Sequence, residues 1–137
     1  IFSLMMGLIC SLSMFLIVWP RIEASNRKAR LFDEVASFTP PEILKNKSTP
    51  QHQAYQWIQN TDRMEVLDHL AQRYSLVVLY YSTGGGGDDG WNSVNWLNEA
   101  VHECEWEFIE CNALQVTEIH LSNNSLGYQI PTELGFL

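Results

Sequence analysis

Basic residues are scarce in this chain: 8 Lys or Arg stand against 16 Asp or Glu in 137 residues, a net charge of −8. Such a balance disfavours nucleic acid, whose phosphates are held by clustered cations. Charge of either sign is absent from residues 1–19, which are dominated by Ile, Leu, Met, Phe and Val. As a helix that run would be about 28 Å long, close to a hydrocarbon core, and reads as a transmembrane helix or signal anchor. Trp19 falls at the expected interface, followed by Pro20 and Arg21. A signal peptide cleaved near Ala24 is the alternative. Cysteine occurs three times, and Cys10, inside the apolar run, is most simply a small apolar residue. The loop STGGGGDDGW lacks the Lys that closes a phosphate-binding loop, and its Asp88 and Asp89 would repel phosphate. With Glu99 these acids fall short of a calcium loop's regular spacing. His52, His69, His102 and His120 are scattered, with no spaced nucleophile and carboxylate to form a triad. No catalytic residue, cofactor or metal is expected.

Residues 1–30 hold four Lys or Arg and one Glu, net +3; residues 31–137 hold four against fifteen Asp or Glu, net −11, which together return −8. A basic flank beside a membrane can hold anionic headgroups. From Asp88 to Glu110 there are seven acids and no Lys or Arg, which reads as a solvated surface. Breakers at Thr39, Pro40, Pro41 and Pro50 make residues 20–49 a stalk with at most a short helical piece near Leu31. Thr49 can cap a helix with Pro50 in its first position and Ala54, Trp57 and Ile58 turned inward. Asp62 and Glu65 have capping-box spacing for a second helix, carrying Val66, Leu67, Leu70, Tyr74, Val77, Val78 and Tyr81 and ended by Gly84.

Residues 116–137 read VTEIHLSNNSLGYQIPTELGFL. Val116, Ile119, Leu121, Asn124 and Leu126 fit the frame L-x-x-L-x-L-x-x-N-x-L of a solenoid repeat. Ile119 and Leu121 alternate with Glu118, His120 and Ser122, the period-two pattern of a strand buried on one side. Asn124 sits where the chain must turn away, and Ile130, Leu134 and Leu137 supply apolar anchors for the return, with Pro131 limiting regular pairing there.

This segment resembles the plant-type leucine-rich repeat, L-x-x-N-x-L-x-G-x-I-P-x-x-L-G-x-L, at Leu121, Asn124, Leu126, Ile130, Pro131, Leu134, Gly135 and Leu137. The family's glycine before Ile-Pro falls on Tyr128, whereas this chain has Gly127 one position earlier. Residues 104–111, CEWEFIEC, are similar to the family's capping pattern C-x-W-x-G-V-x-C, with Phe108 and Ile109 replacing the glycine and valine. The helix TPQHQAYQWI, then QRYSLVVLYYSTGG and a Trp-rich cap, looks like the amino-terminal region of leucine-rich repeat proteins from diatoms and related algae. The resemblance implies a disulfide between Cys104 and Cys111 that holds Trp106 over the end of the first repeat. The residues alone leave two other readings open: reduced thiols, or with His102 part of a metal site lacking a well-spaced fourth ligand.

The expectation is an α/β chain: the start of a leucine-rich repeat solenoid behind a helical, disulfide-closed cap, preceded by a transmembrane helix. Its parts are the span at 1–19, the stalk at 20–49, the cap region at 50–115 and a first repeat at 116–137. The positive-inside rule would place Arg21, Arg27, Lys28 and Arg30 in the cytoplasm, while a disulfide needs an oxidising compartment. The cap decides for a single-pass protein with its carboxy-terminal part outside the cell or in the lumen, where Asn46 and Asn123 are glycosylation candidates. The implied role is recognition of a protein, peptide or glycan ligand on a face begun by Glu118, His120 and Ser122. A receptor-like kinase or an adhesive wall protein are the alternatives.

Overall fold

In the computed structural model, which describes residues 2–64, 69–86, 91 and 95–137, with side chains from residue 18 onward, the first helix α1 runs Phe2–Val35. It passes through Pro20 and continues where a stalk is expected. No Gly or Pro lies between Arg21 and Val35, and Glu, Ala, Arg, Lys and Leu there are strong helix formers, so the first effective stop is at Pro40 and Pro41. Trp19 Nε1 donates to Glu23 Oε1 at 2.7 Å, one turn along the exposed helix. Two compact units divide the chain, Ile1–Glu34 and Val35–Leu137.

Among the described residues the second unit is built on three further helices: α2 (Pro41–Lys45), α3 (Pro50–Asn60) and α4 (Leu70–Ser82). At the start of α3, Thr49 Oγ1 accepts from His52 N at 3.2 Å and Pro50 occupies the first turn, as the sequence predicts. Ala54, Tyr55 and Ile58 are the face that α3 buries. α4 is buried nearly all round: Leu70, Tyr74, Leu76, Val77, Val78 and Leu79 are at most 4% exposed. An element without a polar side lies at the centre of its fold. α3 packs on one part of it and a 3-10 turn, Thr132–Phe136, on another. α4 ends as Gly84 takes φ +90°, a left-handed position that suits glycine. The expected capping residue Glu65, with Val66 and Leu67, lies outside the described residues, as do Asp88 and Asp89 of the glycine loop.

Strands β1 (Ile109–Asn112) and β2 (Gln115–Ile119) form an antiparallel hairpin. Ala113 and Leu114 both have positive φ, 48° and 66°, as a two-residue hairpin turn of type I′ requires. Asn-Gly is the usual pair there, so nothing in Ala-Leu announces the turn.

This architecture corrects the expected fold. No solenoid turn is built among the described residues; β2 pairs backwards with β1 and not sideways with a parallel repeat. Val116 and Asn124 are buried and Ile119, Leu121, Pro131, Leu134 and Leu137 are half-buried, but Leu126 and Ile130 are 42% and 65% exposed. Repeat cores close by stacking layer on layer. The described residues supply no second layer for these two side chains, so helix packing and not stacking organises the unit. For the expected transmembrane helix at 1–19, the finding is that among the described residues no helix is long and apolar enough to cross a membrane. The side chains of residues 1–17, where most of that span was placed, lie outside the described residues.

Candidate functional site

Of the three predicted strand-face residues, the hairpin brings two together and adds a third that sequence reasoning missed. Glu118 stands directly opposite Glu110 in the register. His120, whose backbone N–H is bonded to Phe108 O at 2.8 Å, lies two positions along on the same face. Its Nε2 is 3.1 Å from Glu110 Oε1 and 3.4 Å from Glu118 Oε2. Ser122 is exposed beyond the end of β2, outside the paired register of the hairpin. Cross-strand pairing was the signal that could have found Glu110, but it required seeing the turn at Ala113 and Leu114.

Cys104 and Cys111 form a disulfide with Cα atoms 5.6 Å apart. It ties the short 3-10 turn Glu103–Glu105 to β1 and encloses Trp106, which is 2% exposed. Trp106 Nε1 donates to Asn98 O at 3.0 Å. Trp91 and Trp96 are buried beside it, with ring centroids 4.6 Å apart, as packed side chains and not a sugar platform.

Beneath this cap lies a polar centre that no periodicity reveals. Arg73, inside α4, donates through Nε and Nη2 to both oxygens of Asp62 at 2.8 Å. Its Nη1 reaches Glu103 Oε2 at 3.1 Å and Val101 O at 3.0 Å, and Nη2 reaches Asn98 O at 3.3 Å. All five donors of the guanidinium are thereby used. The plane lies 4.7 Å from the Trp106 ring centroid and 5.4 Å from that of Trp57. The neighbouring Gln72 donates to Glu103 Oε1 and Leu114 O and accepts from Val116 N, which fastens the hairpin to α4. Asp62, expected to cap a helix, is the partner of Arg73, and its Oδ1 also accepts from Met64 N at 3.1 Å; the helix start it was expected to cap lies outside the described residues.

A second feature, also unread in the sequence, is an open cleft of about 840 Å³. Its lining includes Tyr81, Tyr128, Gln51, Gln53, Gln129, Ser48, Ser82, Pro50, Ile130 and Pro131, all uncharged. Gln51 is held by donating to Glu133 Oε1 at 3.0 Å, and Ser75 Oγ holds the Glu133 carbonyl at 2.7 Å. Gly127 N–H bonds Thr83 O at 3.0 Å, anchoring the approach to Tyr128. Tyr128 itself is 92% exposed and has φ +62°. The repeat pattern places glycine at this position, and the left-handed backbone supplies the reason. Asn46 and Asn123 are both exposed; Asn46 Oδ1 accepts from Ser48 N at 3.1 Å.

Comparison with protein-family models, curated proteins and solved structures finds no match to this chain.

Proposed function

We propose that this protein is a recognition module of an oxidising compartment that binds a neutral glycan in the cleft between Tyr81 and Tyr128, without catalysing a reaction. The observation that carries the reading is Tyr128, which pays a backbone cost to stand exposed at the mouth of a cleft. A bulky residue in the left-handed region costs about 1–3 kcal/mol and persists where the surroundings enforce it. The cleft is lined by uncharged groups although the chain carries −8. Its phenol rings offer flat apolar faces to sugar C–H groups, and the amides of Gln51, Gln53 and Gln129 can each donate to and accept from hydroxyls. Aromatic surface with a few fixed polar groups is the usual make-up of a small-ligand site.

The Cys104–Cys111 bond supports a secreted or luminal setting. A binding role also accords with where the histidines stand. His52 Nδ1 meets Leu44 O, His69 and His102 stack edge to face, and His120 meets two glutamates. The resemblance of residues 104–137 to repeat-and-cap sequences favours recognition as the general role, although no solenoid is built among the described residues.

Titration of the purified chain with neutral oligosaccharides, with proline-rich and acidic peptides in parallel, tests the proposal. Saturable glycan binding weakened at least tenfold by Tyr128→Ala and by Gln51→Ala, and unchanged by Glu118→Gln, is expected. Binding to peptides alone, or glycan binding indifferent to Tyr128→Ala, overturns it.

A further inference from the structure

The hairpin face points to a second site, independent of the cleft: we propose that Glu110, Glu118 and His120 bind a divalent transition-metal ion of the zinc class. The hairpin sets two carboxylates directly opposite each other at Glu110 and Glu118. Like charges at such positions repel and destabilise a strand pair. No Lys or Arg follows Arg73 in the sequence, and Arg73 is buried with every donor engaged, so this acidic half of the chain offers no fixed cation to the pair. The group that does approach is an imidazole, a ligand as well as a base.

The spacing fits a metal. The three side-chain donor atoms lie within 4.8 Å of one another, with His120 Nε2 3.1 and 3.4 Å from the two carboxylate oxygens. Ligands about 2.0–2.1 Å from a tetrahedral ion are roughly 3.4 Å apart, so an ion can enter with small rotations of the glutamates. One nitrogen and two oxygens without thiolate favour zinc, cobalt or manganese over copper(I), and the imidazole argues against magnesium and calcium. All three side chains are exposed, which leaves a fourth position for water. The backbone beneath them is set in advance: the His120 N–H to Phe108 O bond, Thr117 Oγ1 donating to Glu110 O at 3.1 Å, and the disulfide at Cys111 beside Glu110.

The experiment is calorimetric titration of untagged, disulfide-intact protein with Zn²⁺ at pH 7.5, repeated with Co²⁺ to read the ligand field by absorption. One ion per chain at micromolar affinity is expected, with a Co²⁺ spectrum of low coordination number. His120→Ala and Glu110→Gln should each weaken binding at least tenfold, and Ser122→Ala should leave it unchanged. The altered side chains are on the surface, and circular dichroism of each variant verifies its fold. Absence of binding below 100 micromolar, in the range about a hundredfold above that affinity, or binding that survives His120→Ala, overturns the site and leaves a histidine paired with two glutamates. Neither outcome touches the glycan proposal, whose variants lie on the cleft.

Discussion

Replacing Arg73 by alanine removes the guanidinium from the buried centre and leaves two carboxylates behind. The side chains of Arg73, Asp62 and Glu103 are 5%, 2% and 1% exposed, so water does not screen the loss. Breaking a buried ion pair from one side costs about 3–5 kcal/mol, because the remaining charge stays desolvated. Here two acids remain and the stacking on Trp106 and Trp57 is lost as well, which places Arg73→Ala at the upper end, about 5 kcal/mol. Domains of this size are stable by about 5–15 kcal/mol, so the variant should be close to unfolding at room temperature. Arg73→Lys keeps a charge but cannot reproduce the fork that grips both Asp62 oxygens, and should lose about half as much. Urea unfolding followed by tryptophan fluorescence, with the disulfide intact, measures both. Adding Asp62→Asn to Arg73→Ala should recover part of the loss, since it removes one uncompensated charge. A loss below about 1 kcal/mol for Arg73→Ala would refute the reasoning, because an interaction of that size belongs to a solvated surface pair.

Tyr128→Gly should raise stability by about 1 kcal/mol in the same urea assay by relieving a left-handed backbone, while abolishing glycan binding; Leu114→Gly at the hairpin turn should stabilise by a similar amount with no effect on the cleft. Cys104→Ser with Cys111→Ser should cost about 2 kcal/mol, the entropy returned to a short loop, and equal stability of oxidised and double-variant protein would contradict that. Burial pushes Tyr74 up, opposed by the Thr39 hydrogen bond and reinforced by Glu133, and burial also raises Tyr55, Tyr80 and Tyr81. Their unfolded forms release protons from about pH 10 while the folded ones hold them, so stability present below that pH falls as pH rises beyond it. Tyr74→Phe should flatten this fall, as read from unfolding midpoints between pH 9 and 11 in steps of about half a unit.

Local features of this protein are written in adjacent residues. Thr49 and Pro50 announce α3 because a helix start must satisfy backbone donors with whatever lies within three residues. Gly84 announces the end of α4, and the alternation around Ile119 and Leu121 is mirrored in their partial burial beside exposed Glu118, His120 and Ser122. The repeat spacing at 116–137 was equally legible, yet spacing alone describes how a strand and turn would pack in a stack and cannot supply the stack.

The tertiary structure decided what depended on distant partners. Arg73 reads as a solvated charge within an apolar helix until Asp62, eleven residues before it, and Glu103, thirty after it, are folded around it. Glu133 likewise reads as surface, and is buried against Thr39 and Gln51. The hairpin depends on Ala113 and Leu114 accepting positive φ, which Gln72 helps enforce from α4 by bonding Leu114 O. That turn is what sets Glu110 opposite Glu118, and the pinned segment around Glu133 is what closes the cleft beside Tyr128. Sequence determines each residue's local options through its own backbone and side chain; only packing brings opposite charges far enough out of water for their pairing to matter.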